Sequence, residues 1–323
     1  MADNKNKYGP FGAPVDIRKA FSTKPELDFV LPGFLTGSTG VIIAPGSTGK
    51  SLLSLQIAQT IALGEDVFGI FRDMSEYGPV EAQIKSGTVA IINVEDQDVI
   101  IEDRLHSMGE KFSDEEQALI EERLMIFSEV GKNFTIVSKN EQGRLVPSMK
   151  LTEAMEFLKT LKPRLVIFDT MNRLSAGVDE NSNGDMGLVM SMIENLNRQV
   201  GCSSLIVHHA NKGSVLSGNS DSQQAGRGAS AVTDNARFQI NLSTMSKDEA
   251  EKLGMGEMSR KSWVRMDYSK VNYGPPRQAV WMMREQGGWL NGNVPAPEEL
   301  AEAQGLKPKE KYKKKPQNAK SEI

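Results

Sequence analysis

The run Val41-Ile42-Ile43-Ala44-Pro45-Gly46-Ser47-Thr48-Gly49-Lys50-Ser51-Leu52 places an apolar strand, a glycine-bearing loop and a Lys-Ser helix start in that order. Phosphate-binding loops are built this way. Backbone N–H groups of Gly46, Ser47, Thr48 and Gly49 can converge on phosphate oxygens, and a helix opening at Lys50, Ser51 and Leu52 points its positive end at the same spot. Gly46 and Gly49 read as the positions where the backbone curls without a Cβ. Lys50 can bridge the β- and γ-phosphates of a nucleoside triphosphate, and Ser51 can offer its hydroxyl to Mg²⁺. The pattern asks for glycine at its first position, where this chain has Ala44, a side chain small enough to fit.

Hydrolysis needs a carboxylate for the metal, a base for the attacking water and a sensor of the γ-phosphate. Leu165-Val166-Ile167-Phe168-Asp169 is an apolar strand ending in an acid, which makes Asp169 the Mg²⁺ partner. Thr170 follows it, so the base comes from elsewhere. Ile91-Ile92-Asn93-Val94-Glu95-Asp96 is a second apolar strand that breaks into acids; Glu95 is the first choice for the base and Asp96 the reserve. Leu205-Ile206-Val207-His208-His209 is a third. Alternation puts its two histidines on opposite faces, so one can touch the γ-phosphate while the other faces a neighbour or the sheet. His209 is the candidate sensor, and His208 is counted among the candidate nucleotide-binding residues.

These strand ends serve one site if the strands lie parallel in one sheet, because the C-terminal ends then open on a common crevice. The sequence predicts strands over 39–43, 88–94, 164–168 and 203–207, short and rich in Val, Ile and Leu as burial on both faces demands. Predicted helices fall over 51–63, 113–124, 152–161 and 187–200; Ser113 and Glu116 form a capping-box pattern. Strand and helix alternation predicts an α/β fold with a mainly parallel sheet covered on both faces. Beyond residue 236, the stretches 238–243, 262–269 and 278–284 alternate like antiparallel strands. The predicted division is a flexible arm over 1–26 with a short helix near 16–21, one ATPase domain over 27–292, and a disordered basic tail over 293–323.

With 323 residues, 39% hydrophobic and 25% charged, the chain has room for one large α/β domain with appendages. It has no apolar run long enough to span a bilayer, and its first residues lack an apolar signal core. Cys202 is the sole cysteine, which excludes a disulfide framework and suits a reducing cytoplasm. No Cys/His set has zinc spacing. Net charge is −4, with seven lysines gathered from Lys307 onward, a tail suited to solubility or to a loose hold on nucleic acid or an acidic partner.

Further stretches sit in the same order as the motifs of a known family: Leu27-Asp28-Phe29-Val30-Leu31-Pro32, Arg104-Leu105-His106, His208-His209-Ala210-Asn211-Lys212-Gly213, Gln223 to Ser230 with Arg227 inside, Asp234-Asn235-Ala236-Arg237, and Ser269-Lys270-Val271-Asn272-Tyr273-Gly274. With the phosphate loop, Glu95 and Asp169, they make the chain resemble the RepA-type plasmid replicative helicases, ring-forming members of the RecA/DnaB-like P-loop ATPases, over roughly residues 27–289. The resemblance implies a RecA-like core, a homohexamer with ATP and Mg²⁺ at each subunit boundary, and single-stranded DNA in the central hole. It implies Glu95 as base, Arg104 and Tyr273 around the adenine, Arg227 as an arginine finger for a neighbour, and Lys270 reaching across the same boundary. Loops 176–185 and 213–224 would hold DNA, with Lys212 the obvious cation. It further implies 5′-to-3′ movement, a bacterial, phage or plasmid setting, and replication initiator or primase proteins as partners. The segments 66–86 and 134–150 look longer than that core needs. A RecA-like ATP-driven switch or remodeller fits the same motifs, and a small-molecule kinase fits the phosphate loop alone.

Overall fold

The computed structural model describes residues 12–71, 84–210 and 230–306. After helix α1 (Ile17–Ser22), a hairpin of β1 (Phe29–Leu31) and β2 (Phe34–Leu35) leads into β3 (Thr39–Ala44) and α2 (Lys50–Leu63). Next come β4 (Val89–Asn93), α3 (Asp98–Gly109), α4 (Asp114–Arg123) and β5 (Leu124–Ser128). A small hairpin, β6 (Val137–Lys139) and β7 (Leu145–Pro147), precedes α5 (Met149–Leu161). The chain continues through β8 (Leu165–Asp169), α6 (Met171–Leu174), α7 (Asn183–Val200), β9 (Ser203–His209), α8 (Ala231–Asn235) and β10 (Phe238–Thr244). Helices α9 (Lys247–Lys252) and α10 (Glu257–Ser262), strands β11 (Trp263–Val271), β12 (Val280–Arg284) and β13 (Leu290–Asn291), and α11 (Pro297–Ala303) complete it.

Nine of these strands form one sheet in the order β13-β12-β11-β10-β3-β9-β8-β4-β5. From β10 to β5 every pairing is parallel; β11, β12 and β13 add on antiparallel. Residue alternation divides the core into two layers. Ile42, Ile91, Ile167, Leu205 and Val207 face one side, where Leu53, Ile57 and Ile61 of α2 meet them. Val41, Ala90, Val166, Phe168 and Ile206 face the other, against Leu151 and Leu158 of α5 and Val189, Ile193 and Leu196 of α7. Helix α2 is buried almost all round, from Leu53 to Ala62, so it reads as apolar on every face rather than amphipathic.

The fold expected from the sequence is present: a mainly parallel sheet, helices on both faces, an antiparallel C-terminal extension. Its boundary differs. The alternation in Phe238-Gln239-Ile240-Asn241-Leu242 suggests an antiparallel strand; β10 does pair antiparallel with β11, but it also runs parallel to β3, joining the two parts of the sheet, and both of its faces are covered. Gln239 and Asn241 are buried, and one amide donates to the other at 2.8 Å, so polar residues here mark internal hydrogen bonding rather than solvent. The stretch 134–150 supplies β6, β7 and the start of α5, with Ile136 and Val137 in the core. Part of the segment read as tail is also structured: α11 packs Ala301 against Trp263 and Met245. The arm helix falls at Ile17–Ser22, capped by Asp16.

At the N-terminal end of the sheet, Arg164 grips Asp28 in a fork, with Nη1 to Oδ2 at 2.8 Å and Nη2 to Oδ1 at 2.9 Å, and also donates to the Phe29 carbonyl at 2.6 Å. This ties the β1–β2 hairpin to the body, and the guanidinium holds the Asp28 carboxyl well below the ordinary aspartate range. Because that pKa is depressed on folding, the contribution is fully present above the ordinary aspartate value and is lost as pH falls below it. Arg164→Met is expected to cost about 1–2 kcal/mol, after discounting for the partly wet Asp28. Urea unfolding at neutral pH and near pH 3 checks this: the difference between wild type and variant should shrink in acid.

Candidate functional site

The phosphate loop leaves β3 at Ala44 and turns into α2 over Pro45–Gly49. Gly49 stands at the N-cap with φ +108°, a conformation that L side chains rarely adopt. Gly46 differs from the sequence reading: its φ is not left-handed and a Cβ there would meet open space, while Ser47 takes the positive φ of 64°. The folded chain itself therefore requires glycine at 49 and not at 46. Thr48 and Lys50 are buried, so the loop and its lysine are held from below before any ligand arrives.

Strand register brings the acids to the same rim. Asn93 pairs with Asp169, Asp169 with Val207, and Ala44 with His209, so the ends of β4, β8, β9 and β3 open together. Odd-numbered residues of β8 and β9 face α2, which puts Asp169 and His209 on the side where the phosphate loop enters its helix. His208 is buried and faces the opposite layer, away from the side of the phosphate loop, which differs from the nucleotide-binding role read for it from the sequence.

Asp169 is 3% exposed, and its Oδ1 is buried without a hydrogen-bond partner. Burial pushes its pKa up to about 6; the Ser51 hydroxyl opposes this, the Glu95 charge adds to it, and the Lys50 charge opposes it. Those influences place Asp169, Ser51, Glu95 and Lys50 in one electrostatic unit.

The turn after β4 separates its two acids. The Asn93 side chain builds that turn: Oδ1 accepts from the N–H groups of Glu95 at 3.3 Å and Asp96 at 3.2 Å, and Nδ2 donates to the Asp96 carbonyl. Arg104, from α3, then takes Asp96 in an ion pair at 2.6 Å. Glu95 is left with a buried Oε2 that has no hydrogen-bond partner. Between the first choice and the reserve, the geometry favours Glu95, since Asp96 is already committed. Asn93 was not singled out in the sequence, because a strand-terminal Asn carries no signal of the turn it closes.

Other candidates lie elsewhere. Lys270 donates to the carbonyls of Thr233 at 3.0 Å and Asp234 at 2.9 Å. It pairs with Gln239, which pairs with Val41, so it stands roughly 13 Å down the sheet from Pro45 and 10 Å across it. Tyr273 lies beyond the end of β11 at the same far end, whereas Arg104 pairs with Asp96 at the loop end, on a helix whose Ser107 reaches Gly287 of the β12–β13 hairpin. One chain therefore does not bring Lys270 to its own phosphate loop, nor Arg104 and Tyr273 to one ring. Arg227, Lys212 and the loop 213–224 lie outside the described residues.

Arg284 is the residue at the loop that sequence reasoning missed. From the end of β12 it donates to the Thr48 carbonyl at 2.7 Å, across 236 residues of chain.

The donor set suits a hydrated Mg²⁺ rather than a caged ion. Among the described residues no cluster of three or more His, Cys, Asp or Glu could hold a metal. Mg²⁺ typically takes one or two protein oxygens and completes its shell with water and phosphate oxygens, and Ser51 with the orphaned Asp169 oxygen meets that need.

Among the described residues no helix is long and apolar enough to cross a membrane. The fold is similar to a solved structure described as the ATPase domain of G40P, with a TM-score of 0.51 and 14% identity, over 85% of this chain and 95% of that one. That likeness shows the fold: a mainly parallel α/β sheet with helices on both faces, to which this chain adds antiparallel strands. Residues 9–215 match the family AAA_25, described as an AAA domain, and so cover the phosphate loop, Glu95, Asp169 and both histidines. The chain belongs to the AAA_25 family of AAA domains.

Proposed function

We propose that this protein is an ATPase that works as a homo-oligomeric ring, a hexamer in its simplest form, and drives a replicative-type DNA helicase moving 5′ to 3′ on single-stranded DNA. The observation that carries the hydrolytic part is the pair of buried, unpartnered carboxylate oxygens, Asp169 Oδ1 and Glu95 Oε2, at the mouth of a phosphate loop. Burying such oxygens unpaired is costly, and a site that meets its substrate later repays the cost.

In this reading the loop N–H groups and Lys50 hold the triphosphate, and Ser51 and Asp169 hold Mg²⁺. When bound, the metal neutralises charge on the β- and γ-phosphate oxygens. Glu95 orients the attacking water and accepts its proton, aimed by the Asn93 turn. His209 lies on the same side of the sheet as Asp169 and reports the γ-phosphate.

What one chain leaves apart supports the ring. Lys270 and Tyr273 stand at the far end of the sheet, where they can serve a neighbour's nucleotide while Arg104 serves its own. Arg227 is proposed as the neighbour's arginine finger, and Lys212 as a contact to DNA phosphates.

A second reading, a nucleotide-driven switch without unwinding, is favoured by one observation. The stretch 176–185, a loop that runs into the first turn of α7 and was expected to face DNA, carries Asp179, Glu180 and Asp185, which repel phosphate. A forked-duplex assay with ATP and Mg²⁺, run beside native mass measurement, separates the two. Strand release with a ring mass, and none from Lys50→Ala, is the expected result; ring assembly with no strand release moves the protein to the switch. A monomer that hydrolyses nothing with or without single strands ends both.

A further inference from the structure

The strands β12 and β13 take no part in the hydrolytic chemistry above, yet their hairpin is fastened to the phosphate loop. Arg284 donates from Nη2 to the carbonyl oxygens of Thr48 at 2.7 Å and Ser47 at 3.4 Å, and from Nη1 to that of Gly288 at 3.3 Å. Gln56 of α2 meets the Leu290 backbone in both directions, donating from Nε2 at 2.7 Å and accepting at Oε1 at 2.9 Å. Gln56 is fully buried, and the Leu52 side chain lies against Gly288. Loop, first helical turns and hairpin are thus one packed unit. Arg284 itself is half-buried, and among the described residues its hydrogen-bond partners are these three carbonyls, with no carboxylate in ion-pair range.

Peptide geometry gives this contact a direction. In a trans peptide the C=O of one residue and the N–H of the next point opposite ways. Holding the Ser47 and Thr48 carbonyls outward therefore turns the Thr48 and Gly49 N–H groups inward, toward the place a phosphate would occupy. Gly49 is fitted to the same contact: a Cβ there would stand 3.3 Å from Arg284 Nη2. We propose that Arg284 is a positioning residue for nucleotide binding, which presets the phosphate nest from behind and adds a cation with no acidic counterpart beside it. The inference rests on the nucleotide reading of the loop and not on the DNA reading.

Donors aimed at phosphates before the reaction act on bound substrate and transition state alike, so their loss raises KM more than it lowers kcat. The test titrates a fluorescent ATP analogue with Mg²⁺ into full-length wild type, Arg284→Met and Arg284→Lys, with steady-state ATPase kinetics and melting of the nucleotide-free proteins alongside. Arg284→Met is expected to weaken binding tenfold or more while kcat at saturation falls less than fivefold. Arg284→Lys keeps the charge but has no planar fork to span two carbonyls, and should fall between. A folded Arg284→Met that binds within twofold of wild type overturns the proposal, whatever its melting temperature. If the methionine variant does not fold, wild-type affinity in Arg284→Lys overturns it instead. Wild type that fails to bind the probe sinks the nucleotide reading itself, a separate outcome.

Discussion

Glu95→Gln is expected to bind ATP with near wild-type affinity and to hydrolyse it about 10²–10⁴-fold more slowly, the usual range for loss of a positioned general base. Gln keeps the shape of Glu and removes its ability to take a proton. Asp96→Asn should behave differently, although the two acids are neighbours. Asp96 already accepts from Arg104 at 2.6 Å, so its loss frees a guanidinium next to the site and disturbs binding more than chemistry. Asn93→Ala should lie between them, because three hydrogen bonds that shape the turn disappear while the glutamate remains. Steady-state ATPase rates and equilibrium ATP binding on the three variants check the assignment. Undiminished turnover in Glu95→Gln would remove that residue from the base role, and a large kcat loss confined to Asp96→Asn would transfer the role to Asp96.

The contrast between those two acids shows where sequence reading stops. A strand that ends in acids is visible as a run of apolar residues followed by Glu95 and Asp96, and so is the phosphate loop, because both are local patterns with a fixed period and a fixed punctuation. The capping box of Ser113 and Glu116 was legible for the same reason and is formed at the start of α4. Which acid is committed to Arg104 depends on how α3 lies over the turn, and the helix over Asp98–Gly109 went unassigned, with only Ile101 and Met108 of its residues buried. Strand β5 was missed because it follows Arg123 with no intervening turn residue and its side chains are only half-buried, so neither punctuation nor periodicity marks it. The antiparallel pairing of β10 with β11 was legible, but its parallel pairing with β3 was not, because Gln239 and Asn241 are buried amides that imitate a solvent-facing alternation. Arg284 and Gln56 were unreadable on principle: their partners lie more than 230 residues away, and no local pattern encodes a contact of that span.

Asp169→Asn is expected to make the nucleotide-free protein more stable and the enzyme nearly inactive. The wild-type carboxyl is buried beneath the loop, and that burial lifts its pKa from an ordinary 3.8 to about 6. A carboxyl whose pKa rises on folding binds more protons folded than unfolded between those two values, so stability declines as pH climbs through that window and stays reduced above it. A shift of about two units corresponds to about 3 kcal/mol at most, the cost of keeping this buried carboxylate ionised at neutral pH. Asparagine carries no charge, so the variant should gain up to that amount near pH 7.5, gain little near pH 4, and show a flatter stability profile between them. The same substitution removes the oxygen proposed for Mg²⁺, and ATP hydrolysis should fall by about 10² or more. In wild type the thermal stabilisation given by Mg²⁺ with ATP should grow as pH rises through about 6, because the carboxyl must lose its proton to serve the metal. Withdrawing the metal with a chelator should erase that growth. Urea unfolding at the two pH values, with melting curves in Mg²⁺ and ATP, tests both halves. A variant no more stable than wild type at pH 7.5 would show that the buried carboxylate carries no strain, and a variant that keeps the full metal-dependent shift would show that another residue holds the ion.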